Sequence, residues 1–187
     1  NCINLTSITI PNSVDSFYYS MFSGCVKLTH ITIGNILNGV EWYEFCQYTR
    51  ITHVNISEHV TSIKDKTFSN STNLTSITMS NSVRTIGDYA FSNCTGLTSI
   101  VIPDSVTSLS TKAFTSCVNL AQISIGNVLN SVSWFELCYG TGITKVVISD
   151  NVTSIDKKIF YCLIKLTSIV IPDSVTSIGD SAFSYCS

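Results

Sequence analysis

The sequence has little charge, little proline and no long apolar run, and each shortage narrows what the chain can do. Asp, Glu, Lys and Arg make up only 12% of the 187 residues, ten basic against twelve acidic, for a net charge of −2. The basic residues are scattered almost singly, so no stripe exists to neutralise a nucleic-acid backbone, and nucleic acid is not an expected partner. The longest apolar run, Ile159 to Ile164, falls far short of the roughly 20 residues that cross a bilayer, so no membrane insertion is expected in this segment. No C-x-x-C occurs among the eight cysteines, which removes the common zinc and redox motifs. Also missing are the G-x-S-x-G, H-E-x-x-H, phosphate-loop and G-x-G-x-x-G patterns, and none of the three histidines has an evident nucleophile and acid to accompany it. No enzyme, cofactor or metal is therefore expected. What the chain does hold is 44% hydrophobic residues with 29 Ser and 22 Thr. That excludes a disordered chain and leaves a polar surface built of hydroxyl and amide.

One apolar pattern returns every 23 residues without an insertion. Leu5, Leu28, Ile51, Leu74, Leu97, Leu120, Ile143 and Leu166 form its first column. Three residues on stand Ile8, Ile31, Val54, Ile77, Ile100, Ile123, Val146 and Ile169, and two beyond those Ile10, Ile33, Ile56, Met79, Ile102, Ile125, Ile148 and Ile171. The alternation L-x-x-I-x-I predicts a short strand in each turn with its mostly β-branched residues inward. Further apolar columns run through Val14 and Phe17, and a last one holds Phe22, Phe45, Phe68, Phe91, Phe114, Leu137, Phe160 and Phe183, for which a short helix or 3-10 turn is expected. One such unit cannot bury its apolar side chains alone, whereas units stacked in register bury a continuous core, which is the logic of a solenoid. Eight turns at a strand spacing of about 4.8 Å give a stack roughly 38 Å long. Pro or Gly followed by Asn or Asp closes the strand at Pro11, Gly34, Pro103, Gly126 and Pro172, which is turn chemistry.

The units from Leu97 to Cys117 (L-T-S-I-V-I-P-D-S-V-T-S-L-S-T-K-A-F-T-S-C) and from Leu166 to Cys186 (L-T-S-I-V-I-P-D-S-V-T-S-I-G-D-S-A-F-S-Y-C) resemble BspA-type leucine-rich repeats in period, Pro corner, A-F pair and terminal Cys. The resemblance covers essentially the whole chain. It implies a right-handed, curved leucine-rich repeat solenoid with a parallel β-sheet on its concave side and short strand, 3-10 or helical segments on the convex side. It also implies a cell-surface or extracellular setting and, in some members, adhesion to host or microbial proteins. No catalytic residue comes with the family.

A longer period lies inside the short one. The second unit, Leu28 to Arg50, and the sixth, Leu120 to Gly142, share twelve of 23 positions and depart from the pattern alike. Both have Gly-Asn at the corner, Trp42 or Trp134 before an aromatic, Glu44 or Glu136 where other turns often have Ala, and a cysteine two places early. Units three and seven alone open with Ile. The expected organisation is one domain over 1–187 made of two tandem four-turn blocks, 5–96 and 97–187. Because the chain starts and stops in mid-unit, it is expected to be a segment of a longer array. Two readings of the shared deviation stand side by side. Trp42, Tyr43 and Glu44, with Trp134, Phe135 and Glu136, form two equivalent recognition patches roughly 19 Å apart if the strand spacing holds. Alternatively, each Trp caps a wider turn by local packing. Burial separates the two.

Other constellations carry less. Cys2, Cys25, Cys94, Cys117 and Cys186 share one column, with Cys46 and Cys138 two places and Cys162 one place earlier, so they are expected as small buried thiols rather than a disulfide framework. His30 and His53 share an outward strand column in adjacent turns and are candidate binding residues. A metal there would need a third ligand from Asn55, Thr32 or water, none of them persuasive. Threonine fills one strand column from Thr6 to Thr167, broken only by Ala121, as a β-branched hydroxyl suits a pleated, half-exposed face. The expected function is a non-catalytic protein-interaction module that engages a host or microbial surface protein through the concave sheet or the duplicated Trp turns. The alternative is a structural unit that binds further copies of itself in a fibre or surface layer.

Overall fold

The structure, a computed structural model, describes residues 2–14, 18–34, 42, 45 and 49–186. Each 23-residue unit places one strand in a main parallel sheet, and among the described residues five units add a two-residue strand on a second face. In chain order these are β1 (Ser7–Ile10), β2 (His30–Ile33), β3 (His53–Ile56), β4 (Ser62–Ile63), β5 (Ser76–Met79), β6 (Thr85–Ile86), β7 (Ser99–Val101), β8 (Ser108–Leu109), β9 (Gln122–Ile125), β10 (Lys145–Ile148), β11 (Ser154–Ile155), β12 (Ser168–Val170) and β13 (Ser177–Ile178). Paired residues differ by one unit throughout, as in Ser7 with His30, His30 with His53, and Gln122 with Lys145. The sequence period is therefore one physical turn of a parallel-sheet solenoid.

The apolar columns are the core. Leu28, Ile51, Leu74, Leu97 and Leu120 are buried, as are the two strand columns from Ile31 and Ile33 through Val146 and Ile148. The phenylalanine column forms a ladder of rings: Phe68 on Phe91 and Phe91 on Phe114, each 5.5 Å apart and within 10° of parallel. Truncating such a buried ring costs about 3–5 kcal/mol, most of it lost burial and cavity.

Polar columns tie the turns together. The threonine hydroxyls donate to the carbonyl one turn back, as Thr52 to Thr29, Thr75 to Thr52 and Thr167 to Thr144, at 3.1 to 3.3 Å. The thiols of Cys94, Cys117 and Cys186 likewise donate to the carbonyls of Phe68, Phe91 and Phe160. Cys25, Cys94 and Cys117 are buried, Cys138, Cys162 and Cys186 are partly so, Cys2 is exposed, and all seven are free thiols. Cys46 lies outside the described residues.

The phenylalanine column follows the expected short helix or 3-10 turn at Phe22, Phe45 and Leu137 and departs from it at the other described turns. Among the described residues, helix is confined to 3-10 turns at Tyr19–Phe22 and Leu129–Ser131, to α1 (Trp134–Cys138) and to the helical residues Trp42 and Phe45. Elsewhere the chain around Phe68, Phe91, Phe160 and Phe183 carries left-handed residues four apart, such as Lys66 and Asn70 (φ 58° and 61°) or Tyr89 and Asn93 (φ 56° and 58°). These turn alternate amides along the stack, so Lys66, Phe68 and Asn70 donate to the carbonyls of Asp88, Ala90 and Ser92 in the next turn. A helix would satisfy those amides within its own turn and leave neighbours unlinked.

The main sheet is not continuous. Its ladders run β1-β2-β3-β5 and β7-β9-β10-β12, with no ladder from β5 to β7. The amides of His53, Ser76, Gln122, Lys145 and Ser168 each bond a carbonyl in the preceding turn, and among the described residues Ser99 makes no such bond. The second face stays joined there, through β4-β6-β8 and through Phe91 to Ala113.

Candidate functional site

Both tryptophans are interior, and this corrects their reading as exposed anchors. Trp42 is 2% and Trp134 1% exposed. For Trp134 the physical reason is a gap in the ring ladder. Leu137 occupies the phenylalanine column of the sixth turn, and Trp134, one helical turn earlier on α1, fills the space by packing on Phe160 with ring centroids 4.9 Å apart. Its indole N–H donates to the Leu129 carbonyl at 3.0 Å. Trp42 packs edge-on against Phe45, which keeps its place in the column, and tilted on Phe68. Tyr43 and Glu44 lie outside the described residues.

The rest of the second patch is at the surface. Ser133 caps α1 by accepting from the Glu136 amide, the Ser-x-x-Glu signature of a helix start. Phe135 projects outward, 60% exposed. The Glu136 carboxylate accepts from the Thr111 hydroxyl at 2.9 Å, which turns it towards the preceding turn. His30 and His53 are far from α1, on β2 and β3. In-register pairing stacks their rings at 4.3 Å and 10°, and each Nδ1 meets the hydroxyl of its neighbouring threonine, Thr29 or Thr52. No group of three metal-ligating side chains occurs among the described residues. The structure therefore brings the histidines together with each other and not with Phe135.

Phe135 instead borders a groove that the sequence did not reveal. The groove encloses about 320 Å³ between α1 and the seventh turn. Its floor is Ile143, Leu163 and Leu166, its walls are Phe135, Tyr139 and Ile164, and Cys138, Gly140, Cys162 and Lys165 complete it. Tyr139 and Ile164 stand proud of the surface, 73% and 70% exposed. The opening arises where the sixth turn departs from the repeat. Gly140, with φ 73°, takes the column that Cys94, Cys117 and Cys186 fill elsewhere, so no side chain occupies that space. Leu163 in the next turn then covers the space from one side.

A signal for the groove was present in the columns. Residues 162–165 read C-L-I-K, and their counterparts one block earlier, residues 70–73, read N-S-T-N. The tryptophan recurs in both turns, whereas the apolar residues Leu163 and Ile164 do not recur at 71 and 72. Chemically the groove is quiet. Burial pushes the Cys138 thiol up to about 12, against a smaller opposing pull from the Lys165 charge, so it stays protonated and is no nucleophile near neutral pH. What the groove can do is bury an apolar group beside one ammonium.

The family model described as BspA type leucine rich repeat region matches residues 1–80 and 61–187, in six copies. No curated protein matches the sequence. Among solved structures, a leucine-rich repeat protein from Bacteroides ovatus is similar at 24% identity and a TM-score of 0.52, over 99% of this chain and 65% of its own. The chain thus spans less than two thirds of that relative. The leucine-rich repeat protein of T. pallidum matches at 20% identity and a TM-score of 0.52, over 96% of this chain and 76% of its own. TLR13, in a complex with ssRNA13, matches at 15% identity and a TM-score of 0.56, over 97% of this chain and 31% of its own. These likenesses show the shared fold.

Proposed function

Because the chain belongs to the BspA-type leucine-rich repeat family, we propose that it is a non-catalytic protein-interaction module of a cell-surface or secreted protein, and that the groove beside α1 is its contact surface. The observation that carries this reading is the exposed apolar wall of Phe135, Tyr139 and Ile164 around a formed cavity. Apolar side chains clustered around a concavity mark a contact site more strongly than apolar residues scattered singly. A rigid scaffold supports them, since α1 is pinned by Trp134 in the core and Leu163 is buried in the next turn. The stacked histidines are a second, more polar surface on the main sheet and add no apolar anchor.

The test replaces Phe135 with a photocrosslinking phenylalanine analogue and compares the partners trapped by that protein with those trapped when Ile164→Thr is added. Ile164 is exposed, so the added change leaves the fold intact by circular dichroism. The expected result is one protein trapped strongly and lost on the addition. Equal trapping with and without Ile164→Thr would overturn the assignment of the groove. Trapping of a second copy of the chain would favour self-assembly instead.

A further inference from the structure

The cation at the groove says something about what enters it. We infer that the groove takes a peptide segment in which an apolar side chain lies next to a carboxylate, the apolar group seated between Ile164 and Phe135 and the carboxylate paired with Lys165. This rests on the reading of the groove as a protein contact site and adds the partner's chemistry. Lys165 is the one charged residue among those lining the cavity. Its Nζ donates to the Thr141 carbonyl at 3.0 Å, which fixes the ammonium at the rim and leaves two of its three donors for a ligand. The acid of α1, Glu136, is held by Thr111 and turned to the preceding turn.

An ammonium beside apolar walls attracts a carboxylate more strongly than one in open water, because part of the surrounding solvent is excluded. Neither feature is present in the equivalent turn of the first block. The counterpart of Lys165 one block earlier is Asn73, just where the counterparts of Leu163 and Ile164 are Ser71 and Thr72. A peptide suits the shape better than a free acyl chain. Walls as exposed as Tyr139 and Ile164 enclose one side chain of a passing segment and leave a longer chain in water.

The experiment selects phage-displayed random peptides on the whole protein and, in parallel, on Lys165→Glu. The expected wild-type consensus is an apolar residue beside Asp or Glu, with Lys or Arg replacing the acid on Lys165→Glu. For one synthetic wild-type peptide, Lys165→Gln weakens binding about tenfold. The same change leaves the peptide's Asp→Asn version unaffected, the pattern of a direct pair in a double-mutant cycle. An apolar consensus without acid, lost on Ile164→Thr, overturns the carboxylate partner and keeps the groove. A consensus indifferent to Ile164→Thr overturns the groove itself, and no consensus overturns both. Decanoate that displaces the peptide and binds more tightly than it overturns the choice of a peptide.

Discussion

Ser71 sits in the column where Cys25, Cys94, Cys117 and Cys186 stand. The cysteine thiols that bond there donate to a phenylalanine carbonyl in the preceding turn, and the carbonyl matching Ser71 belongs to Phe45. That oxygen already accepts from the amide and the hydroxyl of Thr49, at 3.1 and 2.8 Å. The Ser71 hydroxyl, 1% exposed, meets no partner among the described residues. A buried hydroxyl without a partner costs about 1–3 kcal/mol, so Ser71→Ala is expected to raise stability by about 1 kcal/mol, or about 2–4 °C in a thermal melt. An unchanged or lowered midpoint would count against the account. Cys117 has the opposite environment. Burial pushes its thiol up to about 11, against a smaller lowering by the Cys94 backbone. The unfolded chain gives up that proton nearer pH 9, so this contribution is full below pH 9 and is lost as pH rises towards 11. Urea midpoints are expected to fall over that window, and Cys117→Ser to flatten the fall. At this scale the sequence exposed the columns and the shared departure at Trp42 and Trp134. It did not expose their burial, which for Trp134 depends on a ring filling the place of Leu137 from one helical turn away.

The turns around the phenylalanine ladder depend on backbone conformations that residue types alone did not announce. Asn70 and Asn93 suit the left-handed region, but Lys66, Tyr89, Ser116 and Cys162 adopt it as well. Around Lys66, Tyr89 and Cys162 the steric penalty is offset by neighbouring amides that bond the next turn. Strands were legible from the alternation of two, whereas this path has no such period, and a short helix or 3-10 turn is what its apolar column suggests. Lys66 is exposed, so its conformation can be probed without disturbing the core. Lys66→Gly removes a clash of roughly 1–2 kcal/mol, partly offset by chain entropy, for a net gain of about 0.5–1 kcal/mol. Lys66→Val, β-branched and poorly suited to positive φ, is expected to lose stability. Equal urea midpoints for the two variants would show that the left-handed residue is not a determinant of this turn.

For the whole molecule, the strict 23-residue register made the solenoid readable from sequence, since one insertion would have broken every column. The interruption of the main sheet between β5 and β7 was not readable, because Met79 and Ile100 continue their columns without a gap. Backbone pairing is set by the relative position of whole turns, and side-chain columns report it only indirectly. Hydrogen exchange is the direct check. The Ser99 amide is expected to exchange faster than those of Ser76 and Gln122, which bond the carbonyls of Thr52 and Thr98. Comparable protection at the three sites would mean the two ladders are joined in solution.

A joint fastened along one edge and open along the other is a hinge in the carpenter's sense. The four-turn stacks on either side of β5 and β7 are each cross-linked by complete ladders, while the second face holds them together at β6 and β8. Bending that widens the open edge breaks no main-sheet hydrogen bond there, whereas bending the other way strains the fastened face. The solenoid is therefore softer in one direction than in the other. A surface wrapping the main-sheet side would meet a frame able to adjust its arc at a single place along its length.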